Sequence, residues 1–143
     1  MLVKHILLEK GRDVVTVPSG ATLSEAARLL SHRRIGAVVV QDGDGAVAGI
    51  LSERDIVAAL ANESVNALAQ NVASYMTRRM TTCRESDTVE DLMELMTRKR
   101  FRHIPVVEDG KLAGIVSIGD IVKSRIAETE LEAENLRGYI AAG

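Results

Sequence analysis

Three features of the sequence predict an α/β (α+β) fold made of two β-α-β-β-α units. First, a nine-residue pattern occurs twice. Gly49, Ile50, Ser52, Asp55, Ile56 and Val57 recur 65 positions later as Gly114, Ile115, Ser117, Asp120, Ile121 and Val122. Second, the match continues upstream at an offset of 66, with Thr22 on Thr88, Leu29 on Leu95, Ile35 on Phe101 and Val38 on Ile104. The one-residue drop falls between Asp42-Gly43-Asp44-Gly45 and Glu108-Asp109-Gly110, a turn in which the backbone tolerates a deletion. Third, short apolar runs alternate with stripes of helical period. Each copy spans roughly 60 residues, so the chain is a tandem repeat of one supersecondary unit.

In chain order, Val3, Ile6 and Leu7 open a short apolar pattern that turns at Gly11. Residues 14–17 read as a strand ended by Pro18 and Gly20. Thr22 and Glu25 form a Thr-x-x-Glu capping box. Leu23, Ala26, Ala27 and Leu30 make the apolar stripe of the helix that follows. Residues 35–40 are a strand, 42–45 a tight turn, 47–51 the returning strand and 55–60 a helix. Asn62, Asn66 and Asn71 interrupt the pattern of the connector, which is expected to hold a loop and one short helix near 72–76. The second unit repeats the plan. It has a strand at 80–83, then a helix opened by Thr88 with Val89, Leu92, Met93 and Met96 on one face. A hairpin of 104–107 and 112–116 and a last helix from Asp120 follow. The tail carries Leu131, Leu136, Tyr139 and Ile140 among acidic residues; it is expected to prolong the last helix and pack on its own core or on a second copy. The resulting divisions are 1–61 for the first repeat, 62–79 for the linker and lead-in helix, 80–126 for the second repeat and 127–143 for a C-terminal helical tail.

Composition narrows the function. Apolar residues make up 46% of the chain, enough for a core. Only Tyr75, Phe101 and Tyr139 are aromatic, so that core is aliphatic and offers little stacking surface for single-stranded nucleic acid. A net charge of −2 provides no global field for nucleic acid or anionic membrane. No apolar run approaches a membrane span, and residues 1–10 lack the apolar core of a signal peptide. A cytoplasmic protein is the expectation. The single Cys83 excludes an internal disulfide and is read as a small core residue rather than a nucleophile. His5, His32, His103 and Cys83 show no metal-ligand spacing, and no P-loop is present. No catalytic residues and no metal site are expected.

The Ser-x-x-Asp motif admits two readings. Serine at the N-cap with an acid three residues on is close to a capping box, with Asp in place of Glu. Alternatively, the free N–H groups and dipole of the helix N-terminus favour a phosphate. The serine hydroxyl then adds a donor, and the aspartate accepts from both hydroxyls of a ribose diol. Gly49 and Gly114 would let a flat ring approach the backbone. Arg33, Arg34, Lys99 and Arg100 are as readily solvated helix-end cations as phosphate ligands. Arg102 and His103, where the second strand begins, are better placed to meet a phosphate.

Paired β-α-β-β-α units with Gly-Ile-x-Ser-x-x-Asp between the third strand and second helix resemble tandem cystathionine-β-synthase (CBS) domains. The Met76-Thr77 lead-in, Arg102-His103-Ile104-Pro105-Val106-Val107 and Ser117-Ile118-Gly119-Asp120 carry the same resemblance, which spans residues 3–126. It implies two repeats packed through their sheets about a pseudo-twofold axis, a Bateman module. It also implies two clefts for an adenine nucleotide or related adenosine ligand: AMP, ADP, ATP, NAD(H) or S-adenosylmethionine. On that resemblance Asp55 and Asp120 hold ribose, and Ser52 and Ser117 lie near phosphate. Thr16, Ala37, Thr82, His103, Ile104 and Pro105 then surround the base. The copies differ, with Glu53-Arg54 where the second has Ile118-Gly119 and Gly36-Ala37 where it has Arg102-His103, so Arg54 joins the candidates and the clefts are expected to be unequal. The expected function is a stand-alone nucleotide sensor, homodimeric, acting on a protein effector in trans. The alternative is a structural or protein-interaction module whose ligand sites are vestigial.

Overall fold

The computed structural model describes residues 1–142. Its elements in order are α1 (Val3–Lys10), β1 (Thr16–Val17), α2 (Leu23–Arg33), β2 (Ala37–Gln41), β3 (Val47–Ser52) and α3 (Glu53–Glu63). Two 3-10 turns, Ser64–Ala69 and Val72–Ser74, lead to α4 (Val89–Lys99), β4 (His103–Glu108), β5 (Lys111–Ser117) and α5 (Ile118–Ala142). The helices start where side chains can close them. Thr22 Oγ1 accepts from the Glu25 N–H at 3.1 Å and Glu25 Oε2 accepts from the Thr22 N–H at 3.1 Å, so the capping box opens α2 as its sequence predicts. Thr88 Oγ1 accepts from the Asp91 N–H at 3.1 Å and opens α4.

The first sheet has the order β1-β2-β3, with β1 parallel and β3 antiparallel to β2. The second is the hairpin of β4 and β5. The strand expected at 80–83 does not form. It is reduced to one parallel bridge between Cys83 and Val106, closed by Cys83 N–H to Pro105 O at 3.0 Å and Val107 N–H to Cys83 O at 2.9 Å. Upstream the ladder stops because the next rung needs an N–H from Pro105, which has none; beyond Cys83 side chains take the next donors. The Arg84 N–H donates to Asp87 Oδ2 and the Glu85 N–H to Glu108 Oε1, both at 2.8 Å. The expected strand at 35–40 begins later for a similar reason, since the Ile35 N–H turns back to Leu30 O. The connector holds two short turns rather than one. The tail does prolong the last helix, as α5 runs 25 residues without a break.

The two cores are completed by exchange. The stretch ahead of the first unit packs on the second, where Val3, Ile6 and Leu7 join Val89, Leu92, Met96, Ile104, Val116 and Ile121. The stretch ahead of the second unit packs on the first, where Val72 and Met76 join Leu23, Leu30, Val38, Val40, Leu51 and Ile56. The backbone repeats the symmetry: Val3 N–H donates to Asp87 O at 2.9 Å and Val72 N–H to Ala21 O at 2.8 Å. Likewise Leu23 N–H donates to Gln70 O and Val89 N–H to Met1 O, each at 2.9 Å. Burying a leucine such as Leu7 contributes about 1.5–3 kcal/mol, so each unit depends on its partner's lead-in.

That exchange explains the glycines of the repeated motif. A Cβ on Gly49 would lie 2.8 Å from Thr77 O and 2.9 Å from the Met76 sulfur, and one on Gly114 would lie 2.7 Å from Leu7 Cδ2. The space expected for a flat ligand ring is filled by the lead-in segments, so these glycines serve packing.

Candidate functional site

The N-terminus of α3, the start of β4 and the connector between the units meet around one cleft of about 720 Å³. The α3 wall holds Ser52, Glu53, Arg54 and Asp55; the β4 wall holds Arg100, Phe101, Arg102 and His103; the connector adds Arg79 and Thr81. Ser117 and Gly119, at the start of α5, close the far side. The N-termini of two helices, of 11 and 25 residues, therefore border one space with the positive ends of their dipoles.

Of the residues singled out in the sequence, Ser52, Arg54, Asp55, Arg102, His103 and Ser117 converge here. Sequence order puts Arg102 and His103 in the same repeat as Asp120, but the cleft sets them across from Asp55, in the other unit. Asp120 is not part of this lining. Its Oδ2 receives Lys10 Nζ at 2.7 Å. Thr16 is exposed on β1 and Thr82 is exposed beside the lining Thr81. Ala37, Ile104 and Pro105 are buried within β2 and β4. Sequence reasoning missed Arg79, Thr81 and Glu53 as cleft residues, and Lys10 as the partner of Asp120. The available signal was the correspondence of lead-ins at an offset of 69, which sets Val3 on Val72 and Lys10 on Arg79.

Both aspartates do act as caps. The Ser52 N–H donates to Asp55 Oδ2 and the Ser117 N–H to Asp120 Oδ2, each at 2.9 Å. Each serine hydroxyl in turn accepts from its aspartate's N–H, at 3.3 and 3.2 Å. In each case the bonds fall on Oδ2. Burial opposes ionisation of Asp120, but hydrogen bonds from Lys10 and Ser117 outweigh it and hold the carboxyl below the ordinary range.

Among the described residues, Arg54, Arg79, Arg100 and Arg102 form no ion pair. Arg54 is steered by a 3.3 Å hydrogen bond from Nη1 to Arg100 O. Arg100 itself sits in the left-handed region at φ 58°, which costs about 1–2 kcal/mol in a residue with a Cβ. Four guanidiniums against Glu53 and Asp55 leave the cleft net positive in a chain that is net negative. His103 packs against Gly36 and Glu53: a Cβ on Gly36 would lie 3.0 Å from both side chains. Burial lowers the His103 pKa most; Lys10 and Arg102 push the same way and Glu53 and Asp120 oppose them. Burial therefore disfavours the imidazolium. Burial pushes the Cys83 thiol up to about 12, which makes it a poor nucleophile. The described residues hold no cluster of His, Cys, Asp or Glu fit for a metal ion. No described helix is long and apolar enough to cross a membrane.

The CBS domain family model matches residues 3–62 and 72–127. A solved CBS-domain containing protein from Agrobacterium tumefaciens is similar at 52% identity and TM-score 0.85, over 87% of this chain and 92% of that one. A CBS domain pair solved with 5′-methylthioadenosine and S-adenosylmethionine is 29% identical, with TM-score 0.80, over 90% of this chain and 98% of the other. Among curated proteins, an uncharacterised protein of Acidianus ambivalens is 37% identical over 78% of this chain. A mitochondrial CBS domain-containing protein of Arabidopsis thaliana is 35% identical over 85% of it. The chain spans 66% and 61% of the lengths of those two relatives. With both repeats matched and the paired fold shared, the chain belongs to the CBS domain family, as a tandem pair of CBS domains.

Proposed function

We propose that this CBS pair is a regulatory, non-catalytic module that binds a phosphorylated adenosine ligand in the Asp55 cleft. The carrying observation is the convergence of four arginines, without ion pairs among the described residues, and two helix N-termini around Asp55. Guanidiniums and helix N-termini select phosphate, and the aspartate selects a diol. AMP, ATP and NAD(H) carry both groups. A neighbouring CBS structure was solved with AMP and another with S-adenosylmethionine. In this chain the cationic sulfonium of the latter would meet four arginines, so the phosphorylated ligands are favoured. Energy or redox state would be signalled by the ligand to a protein effector, in a cytoplasmic setting.

The chain is further proposed to act as a homodimer. Val57 on α3 and Val122 on α5 occupy equivalent repeat positions and are 65% and 50% exposed. Ile126 and Leu60 extend the two apolar faces. Burying them against a second copy removes apolar area from water. A monomer by light scattering at micromolar concentration would refute the dimer.

Calorimetric titration with AMP, ATP, NADH and S-adenosylmethionine tests the ligand. The expected result is heat with the phosphorylated compounds and a weaker response to S-adenosylmethionine. Tightest binding by S-adenosylmethionine would overturn the arginine reading. Absence of binding by all four would favour a purely structural or interaction module, which the satisfied Ser-x-x-Asp caps would then explain completely.

A further inference from the structure

The repeat builds a second carboxylate site at Asp120, and the chain fills it itself. Lys10 Nζ lies 2.7 Å from Asp120 Oδ2 and 3.0 Å from Ile115 O. We propose that Lys10 keeps the Asp120 cleft shut, so that each chain takes one nucleotide, at Asp55. This rests on the nucleotide reading above and deepens it.

The comparison is internal to the molecule. Ser52 with Asp55 and Ser117 with Asp120 share the bond from the serine N–H to Oδ2 and the bond from the aspartate N–H to the serine hydroxyl, and Ser52 Oγ adds a 3.1 Å bond to Asp55 Oδ2. Lys10 corresponds to Arg79 at an offset of 69. Arg79 lines the open cleft and makes no ion pair among the described residues, whereas Lys10 reaches its aspartate. Its amine is held in place because α1 is anchored by the buried Val3, Ile6 and Leu7. A ribose diol would have to displace an ion-paired ammonium with hydroxyl donors that carry no charge of their own, and so forgo the Coulomb attraction of the pair. At the positions that match Arg102 and His103 the first repeat has Gly36 and Ala37, which bring no cation, and Arg12 is ion-paired with Glu85. Two sites of unequal strength thus arise from one duplicated motif, and Lys10 on its anchored helix is the group that occupies the second carboxylate.

Titration of the full chain with ATP, and separately with AMP, tests this. Wild type should show one site per chain, lost in Asp55→Asn. Lys10→Met should show two, and Lys10→Met combined with Asp55→Asn should retain only the new one. Lys10→Arg, which keeps the cation, should still show one. A thermal melt of each variant confirms that the counts come from folded protein. Two sites in wild type, or one site in Lys10→Met with Asp55 intact, would overturn the proposal while leaving nucleotide binding standing. A fall in affinity at the wild-type site on Lys10→Met would also overturn it, since Lys10 would then be a ligand-binding group. No binding by wild type or Lys10→Met would overturn both this proposal and the nucleotide reading.

Discussion

Substituting Gly114 by alanine separates a packing role from a ligand role for the repeated glycine. The new Cβ would meet Leu7 Cδ2 at 2.7 Å, Cδ1 at 3.0 Å and Cγ at 3.4 Å. Leu7 is fully enclosed at 1% exposure, so it cannot swing away into solvent. Overpacking of this kind costs about 1–3 kcal/mol. In a domain of this size each kcal/mol lowers Tm by about 4 °C. Leu7→Ala alone should cost about 2–5 kcal/mol through the cavity it leaves. The double variant should be more stable than the sum of the two losses, because the alanine methyl then enters the space the leucine vacated. Contacting residues couple by about 0.5–3 kcal/mol, read from shifts in the urea midpoint at constant m. Gly49→Ala gives the contrast. Its Cβ meets the Thr77 carbonyl at 2.8 Å, backbone that no side-chain truncation removes. Met76→Ala should therefore relieve Gly49→Ala less than Leu7→Ala relieves Gly114→Ala. Strict additivity of Gly114→Ala and Leu7→Ala would refute the exchanged packing on which the whole arrangement rests.

Two further outcomes follow from the cleft. Arg102→Ala should weaken ATP binding about tenfold or more, as loss of a hydrogen bond to a charged group costs about 1.5–3 kcal/mol, and should reduce the salt dependence of affinity; unchanged titrations at low and high salt would contradict it. His103 has its pKa lowered chiefly by burial, so as pH falls through the ordinary histidine range the unfolded chain takes up the proton first and stability declines there. A bound phosphate favours the imidazolium, so ligand affinity should rise relative to His103→Gln as pH falls from about 8 to 6; parallel pH profiles would remove His103 from the site.

Local patterns carried much of the fold. The Thr22 and Thr88 caps, the hairpin of β4 and β5 and the duplicated Ser-x-x-Asp turn are short-range features, and residue types a few positions apart announce them. The exchange of lead-ins was not legible, because the contact of Leu7 with Gly114 joins distant segments and no local period encodes it. The same holds for Lys10 on Asp120, which follows from where α1 docks. The strand expected at 80–83 failed for a different reason. Pro105 has no N–H for the upstream rung of the strand's ladder, and Asp87 and Glu108 side chains capture the donors beyond Cys83. At the site, residue types pointed to Ser52, Asp55, Arg102 and His103. Their assembly in one cleft required the two units to cross, so that a strand of one faces a helix start of the other. Arg79 was hidden for that reason, lying in the connector between the units.

The central claim is that Asp55 holds a ribose diol in the positively lined cleft, and paired titrations with AMP and 2′-deoxy-AMP test it most directly. Removing one hydroxyl leaves part of the carboxylate unpaired, at a cost of about 1–3 kcal/mol, or roughly five- to a hundredfold in affinity. Wild type should prefer AMP by that margin. Asp55→Ala should bind AMP weakly and lose the preference, whereas Asp120→Ala, whose carboxylate is already occupied by Lys10, should retain it. Equal affinity of wild type for the two nucleotides would show that Asp55 is a helix cap and nothing more.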